Sequence, residues 1–218
     1  MKPNPHNQDK PALAGDVKQP HDKATPKWRE TSMGQIGSVV VVVAIAAVLA
    51  FSIKAFLFQP YIVDGQSMET TLQNNDRLVV NKIPRTLSRL DGHAYLPHRG
   101  DIIVFNQSNL PGYVGQKQLI KRVIGLPGDH LVIKDGKITI YDSAHPRGFD
   151  PDTSGRYRIV APITTGDIDL TLRPNQIYVC GDNRDFSLDS RYFGPVNVQN
   201  IVGKLVVRIL PLGNAQRF

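Results

Sequence analysis

From Thr31 to Ile53 the chain carries no charged side chain, and Val39–Phe51 (VVVVVAIAAVLAF) is apolar at every position. No other stretch limits the fold as strongly. Lys54 interrupts the run and Ala55-Phe56-Leu57-Phe58 resumes it. A helix over 36–58 is long enough to cross a ~30 Å hydrocarbon core, with Lys54 snorkelling to the interface. A cleaved leader starts closer to the N-terminus, and a core helix needs a polar face that this run lacks. The reading is therefore one transmembrane helix. Residues 1–35 are polar and rich in Pro, Lys, Asp and Gln, which predicts a disordered tail. That tail holds the nearest Lys/Arg cluster, six against four Asp/Glu, which places the N-terminus in the cytoplasm. Residues 59–218 then lie on the extracytoplasmic side of the cell membrane.

Past the span, apolar residues alternate as in strands. Arg77–Asn81, Asp101–Phe105, Gln118–Ile124, His130–Ile133, Lys137–Ile140, Gln176–Cys180 and Gly203–Ile209 are short β-branched runs separated by Gly, Pro, Asn and Asp. Asp135-Gly136 between two of them predicts a two-residue hairpin turn. Residues 142–175 are polar and weakly patterned, and read as an insertion, either a small β-subdomain or a surface loop. The expected fold is mainly β: an antiparallel catalytic domain with a small inserted subdomain, preceded by one transmembrane helix. At 218 residues the chain has room for such a core.

Charge and cysteine content exclude several classes. The net charge is +7, but 59–218 holds 19 Lys/Arg against 15 Asp/Glu, with no basic stripe of the kind nucleic acid requires. The excess suits solubility and contact with anionic membrane lipid. Cys180 is alone, so no internal disulfide or CxxC metal site forms. His93 and His98 are the closest histidine pair and have no third ligand near them. Asp150-Pro151-Asp152 opens like a calcium loop, but Ala161 stands where the bidentate glutamate belongs.

Within this frame Lys121 stands out. It lies in Gln118–Ile124, and Leu119 and Val123 fall on its own strand face. A lysine there is neutral, paired with an acid, or snorkelling off an edge strand. Desolvation lowers a lysine pKa from its usual ~10.4 and can leave the amine free to act as a base. Ser67, in Asp-Gly-Gln-Ser-Met, is a structural turn serine or a nucleophile awaiting such a base. Gly65 beside it lets the backbone approach a carbonyl and offer main-chain donors to an oxyanion. Nine residue steps from Phe58 hold Ser67 within ~30 Å of the span. The cluster at 181–195 interleaves Asp182, Asp185 and Asp189 with Arg184 and Arg191. It reads as a solvated turn, a carboxylate metal site, or an ion-pair network that orients the lysine through Ser187. The arginines already supply the countercharge a metal would bring, so no metal is expected.

These three segments resemble the type I signal peptidases. VDGQSMETTL (63–72) is similar to the nucleophile box, KRVIGLPGD (121–129) to the lysine box, and GDNRDFSLDSRYFGPV (181–196) to the final box. The resemblance implies Ser67 as nucleophile and Lys121 as general base. It further implies that Ser187 hydrogen-bonds the lysine amine and that Asp189 and Arg191 brace that loop. The oxyanion would meet the Ser67 N–H, since Gly65 stands where some members carry a serine. Met68, Leu72 and Ile120 align with the wall of a shallow pocket for small side chains. One position departs: Thr70 stands where the family usually has proline.

The expected function is thus a membrane-anchored serine endopeptidase that cleaves N-terminal signal peptides from exported precursors after small residues, as a monomer without a cofactor. Two alternatives stay open: a dedicated maturation peptidase of the same fold, and a catalytically silent β-domain that binds envelope partners.

Overall fold

The structure is a computed structural model that describes residues 29–52, 58–108, 110–154, 157, 159 and 163–218. The chain falls into two compact units, Met1–Ala46 and Ala47–Phe218. A helix, α1 (Arg29–Ser52), begins seven residues before the position expected from the sequence. Its Val39–Val43, Ile45, Val48 and Phe51 side chains are exposed. Among the described residues no helix is long and apolar enough to cross a membrane. The expected span also takes in 53–57, and the expected tail 1–28; both lie outside the described residues.

The second unit is built from β1 (Phe58–Ile62), β2 (Arg77–Asn81), α2 (Ile83–Leu90), β3 (Ile102–Ser108), β4 (Gln116–Gly125), β5 (His130–Lys134), β6 (Lys137–Tyr141), α3 (Pro151–Ser154), β7 (Ile168–Thr171), β8 (Gln176–Cys180), α4 (Ser190–Phe193), β9 (Val196–Asn197), β10 (Ile201–Leu210) and β11 (Gln216–Arg217). One antiparallel sheet runs β1-β2-β10-β3-β4-β8-β9, with β11 paired to β10. A second, three-stranded sheet runs β6-β5-β7. The mainly antiparallel β fold read from the sequence is the one observed. Among the described residues the segment 142–175 contributes β7 to the small sheet, whose other strands precede it, and an isolated bridge from Phe149 to Ile140 of β6.

Alternation builds the core on both faces of the large sheet. Ile103, Phe105, Val123, Ile177 and Val179 point to one side and pack with Val196 and Ile201. Ile124, Tyr178 and Cys180 point to the other and meet Leu131, Ile133 and Ile140 of the small sheet. The hairpin between β5 and β6 turns on Asp135 (φ 52°) and Gly136 (φ 75°), two positive φ values that an Asp-Gly pair accepts. Register places the site. Phe58, Asn81, Lys204, Ile103 and Lys121 are successive partners across five strands. Along β4, Gln116–Gln118 are exposed and Lys121–Gly125 buried. The change falls where β8 joins the strand, at Arg122 opposite Cys180. Lys121 is therefore the last residue of β4 before its second edge is covered.

Candidate active site

Ser67 sits in the loop between β1 and β2, which Val63 closes by backbone hydrogen bonds to Asn75 and Asp76. The turn is pinned from below. Met68 and Leu72, four apart and 1% and 0% exposed, enter the core with Val63, Leu78, Ile102 and Leu205. Arg208 Nη1 donates to the Thr71 carbonyl and to Asp76, tying the turn to β10. From the far side, the Asn183 N–H donates to the Ser67 carbonyl at 3.1 Å and Asn183 Nδ2 to that of Gln66 at 3.1 Å. Gly181 is obligatory here, because a Cβ would stand 2.3 Å from the Ser67 carbonyl and collide with Ser187 Oγ.

These supports hold Ser67 against Lys121. Lys121 Nζ donates to Ser67 Oγ at 2.6 Å and to the Ile120 carbonyl at 2.9 Å. The lysine is 3% exposed, and burial pushes its pKa down to about 8 against the opposing pull of Asp189 and Asp182. Neither carboxylate reaches the amine, because each is held by an arginine. Asp182 accepts two hydrogen bonds from Arg122, at 2.8 and 2.6 Å. Asp189 accepts from Arg191 Nε and Nη2, both at 2.9 Å, and from the Gly181 N–H at 3.0 Å. Two hollows of about 170 and 260 Å³ meet at Ser67 and Lys121. Among the described residues no group of His, Cys, Asp and Glu is arranged to hold a metal ion.

Not every residue singled out in the sequence stands where it was expected. The lysine amine bonds Ser67 and Ile120, not Ser187, whose Oγ accepts the Gly181 N–H at 3.1 Å. Ile120 lines the smaller hollow, but Met68 and Leu72 lie beneath it in the core. Apolar side chains one turn apart bury together, and here that places them under the nucleophile, not around a substrate. The Gly65 N–H is taken by Asn74 Oδ1 at 2.9 Å, so its free φ of 104° serves the turn. Asp189 and Arg191 are the expected bidentate pair. Sequence reading missed Asn183, Gly181, Arg208 and the Arg122–Asp182 pair. Only Arg122 beside the lysine, with an aspartate following the β8 run, offered any signal.

Comparison with known proteins identifies a family for the chain. Residues 36–210 match the family described as signal peptidase, peptidase S26. A signal peptidase I of Bacillus caldolyticus is 33% identical over 178 residues, covering 77% of this chain and 87% of that protein. A probable signal peptidase I-2 of a Synechocystis strain is 32% identical over 184 residues, covering 84% of this chain and 76% of that one. A crystal structure of a signal peptidase I from Enterococcus faecalis V583 aligns with a TM-score of 0.37 at 30% identity, covering 50% of this chain and 97% of that one. The chain belongs to the peptidase S26 family of signal peptidases and, within it, to the type I enzymes.

Proposed function

We propose that the protein is a membrane-anchored serine endopeptidase in which Ser67 and Lys121 form a dyad that removes N-terminal signal peptides from exported precursors after small residues. The observation that carries this reading is the 2.6 Å contact of Lys121 Nζ with Ser67 Oγ at a buried amine that no carboxylate holds. At pH 7 about one such amine in ten is neutral, compared with roughly one in two thousand for an ordinary lysine.

The neutral amine accepts the Ser67 hydroxyl proton while Oγ attacks the scissile carbonyl carbon. The carbonyl oxygen becomes an oxyanion facing the Ser67 N–H, a main-chain donor that needs no reorganisation. As the tetrahedral species collapses, the Lys121 ammonium returns its proton to the departing amine and an ester to Ser67 remains. Water then attacks the ester carbonyl, losing a proton to Lys121, which passes it to Ser67 Oγ as the acyl–Oγ bond breaks, so that the hydroxyl and the neutral amine are both regenerated. Asp189, Arg191, Ser187 and Asn183 act by position, holding Gly181 and the Ser67 carbonyl in place. Between Gln116 and Lys121, β4 pairs with β3 on one side only, so an extended substrate can lie along the open edge. The apolar run that ends at Phe58, interrupted by Lys54, supports a bilayer anchor, which would keep Ser67 beside substrates held in the same membrane.

The test is cleavage of a signal-peptide-bearing precursor by the full chain in detergent, with the cut located by mass spectrometry. Wild type should cut once, after a small residue, and Ser67→Ala should not cut at all. Cleavage by the Ser67→Ala protein would remove Ser67 from the mechanism.

A further inference from the structure

Helix α2 has two faces with opposite chemistry. Ile83, Leu87 and Leu90 recur at i, i+4 and i+7 on one side, and Arg85 and Arg89 at i and i+4 on the other. On the apolar side Ile83 is half-buried and the two leucines are left uncovered. Leu87 is 55% and Leu90 79% exposed, and no residue of the helix is buried. The basic side faces a cavity of about 290 Å³ lined by Arg85, Arg89, His93, Tyr95 and Gln199. No carboxylate lines this cavity, and neither arginine has an ion pair among the described residues. Arg85 Nε is buried without a hydrogen-bond partner among the described residues, an uncommon state for a charged group. Burial and the neighbouring Arg89 both disfavour the charge on Arg85. Two cations with an orphaned donor are arranged for an anion.

Position says which anion. α2 starts two residues after Asn81, and Asn81 pairs with Phe58, the residue on which the apolar N-terminal run ends. The tip of the β3–β4 hairpin, with Val114 99% exposed, projects from the same end of the sheet, because Ser108 and Gln116 lie past the Phe58–Lys121 row. An amphipathic helix lies in a bilayer with its apolar face at the acyl boundary. With Leu87 and Leu90 there, Arg85 and Arg89, on the opposite side of a helix some 10 Å thick, come to headgroup depth. We infer that the cavity behind α2 binds the phosphate of an anionic phospholipid headgroup, which docks the catalytic unit on the membrane surface. Guanidinium forks match phosphate oxygens in geometry as well as charge. The inference rests on the membrane-anchored reading above, but needs no part of the peptidase chemistry.

The full chain in detergent is incubated with equal amounts of phosphatidylglycerol and phosphatidylcholine, and retained lipid is counted by native mass spectrometry. Wild type should prefer phosphatidylglycerol by roughly tenfold, as two surface cations allow. Arg85→Gln/Arg89→Gln should bring the two lipids to parity. Lys137→Gln/Arg173→Gln, the same charge change in and beside the small sheet, should leave the preference intact. If the first pair melts early, Arg89→Gln alone, at an exposed side chain, gives the same readout. Equal retention of both lipids by wild type, an equal loss in the Lys137/Arg173 pair, or complete displacement by inorganic phosphate would each overturn the inference. Precursor cleavage is scored in the same samples. A chain that retains phosphatidylglycerol but cleaves nothing sinks the peptidase reading and leaves the lipid site standing.

Discussion

Lys121 and Arg184 are equally sealed from solvent, each 3% exposed, yet the chain treats the two cations in opposite ways. Arg184 is given a carboxylate. Its Nη1 and Nη2 each donate to Asp152 at 2.6 Å, its Nη1 also donates to Thr164, and its Nε donates to the Gly181 carbonyl at 3.0 Å. Among the described residues Lys121 receives only a hydroxyl and a carbonyl, while the two acids that act on its charge, Asp182 and Asp189, are committed to Arg122 and Arg191. A buried cation with a carboxylate partner stays charged and fixes geometry. One without a partner sheds its proton more readily and becomes a base. The arginines thus serve the lysine indirectly, since a free Asp182 or Asp189 would stabilise the ammonium and weaken the dyad.

Replacing the unpaired cation should produce the largest effect, and on activity alone. Lys121→Met should lower precursor cleavage by about 10⁴-fold or more, because no alkoxide forms without the base. Its melting temperature should hold or rise, since a thioether costs nothing to bury where an amine does. A few per cent of wild-type turnover in this variant would end the dyad proposal. Breaking a paired cation should do the reverse. Asp189→Ala leaves the Arg191 guanidinium buried without its partner and should destabilise the domain by ~3–5 kcal/mol. Denaturant unfolding of the full chain in detergent would measure this, and a loss below about 1 kcal/mol would mean that water has replaced the carboxylate.

The same contrast predicts the pH profile. Because the Lys121 pKa is lowered to about 8, the neutral, active fraction rises with pH up to and through that value. From pH 6 to pH 8 it grows from roughly 1% to 50%, so kcat/KM should increase about fifty-fold and then level off. Arg184 and Arg191, whose pKa values are raised further above the usual arginine range, stay charged throughout and should add no step to the curve. A profile that rises near pH 4–5 and is flat above would indicate a carboxylate base.

Local pattern explains what the sequence disclosed and what it hid. The seven strands read from alternation all exist, because residues two apart share a face whatever the tertiary fold. The Asp135-Gly136 turn was legible for a similarly local reason, its need for positive φ. Ser67, Lys121 and the Asp189–Arg191 pair were marked by motif. α2 was missed because eight residues with Pro84 near the start and exposed leucines look like a loop. The pocket-wall reading of Met68 and Leu72 came from the family resemblance, and a turn sequence by itself does not say which side faces the core. Asp152–Arg184 and Asp76–Arg208 pair across 32 and 132 positions, and no periodicity links residues that far apart.

The smallest predicted effect concerns the turn that holds the nucleophile. Thr70, where the family usually has proline, has φ 76° and is exposed. A β-branched residue in that region is strained by ~1–2 kcal/mol, whereas glycine adopts it freely. Thr70→Gly should therefore stabilise the domain by about 0.5–1 kcal/mol, the relief being partly offset by greater freedom in the unfolded chain. In a thermal melt this is a rise of roughly 1–4 °C. Thr70→Pro should act in the opposite direction, because the proline ring holds φ near −65°. Met68 and Leu72 would then lose the turn that carries both into the core, and Ser67 would lose its support against Lys121. A melt in which proline stabilises and glycine destabilises would mean that the turn takes the right-handed form in solution. The strain would then not exist, and the substitution of threonine for proline would have no conformational consequence.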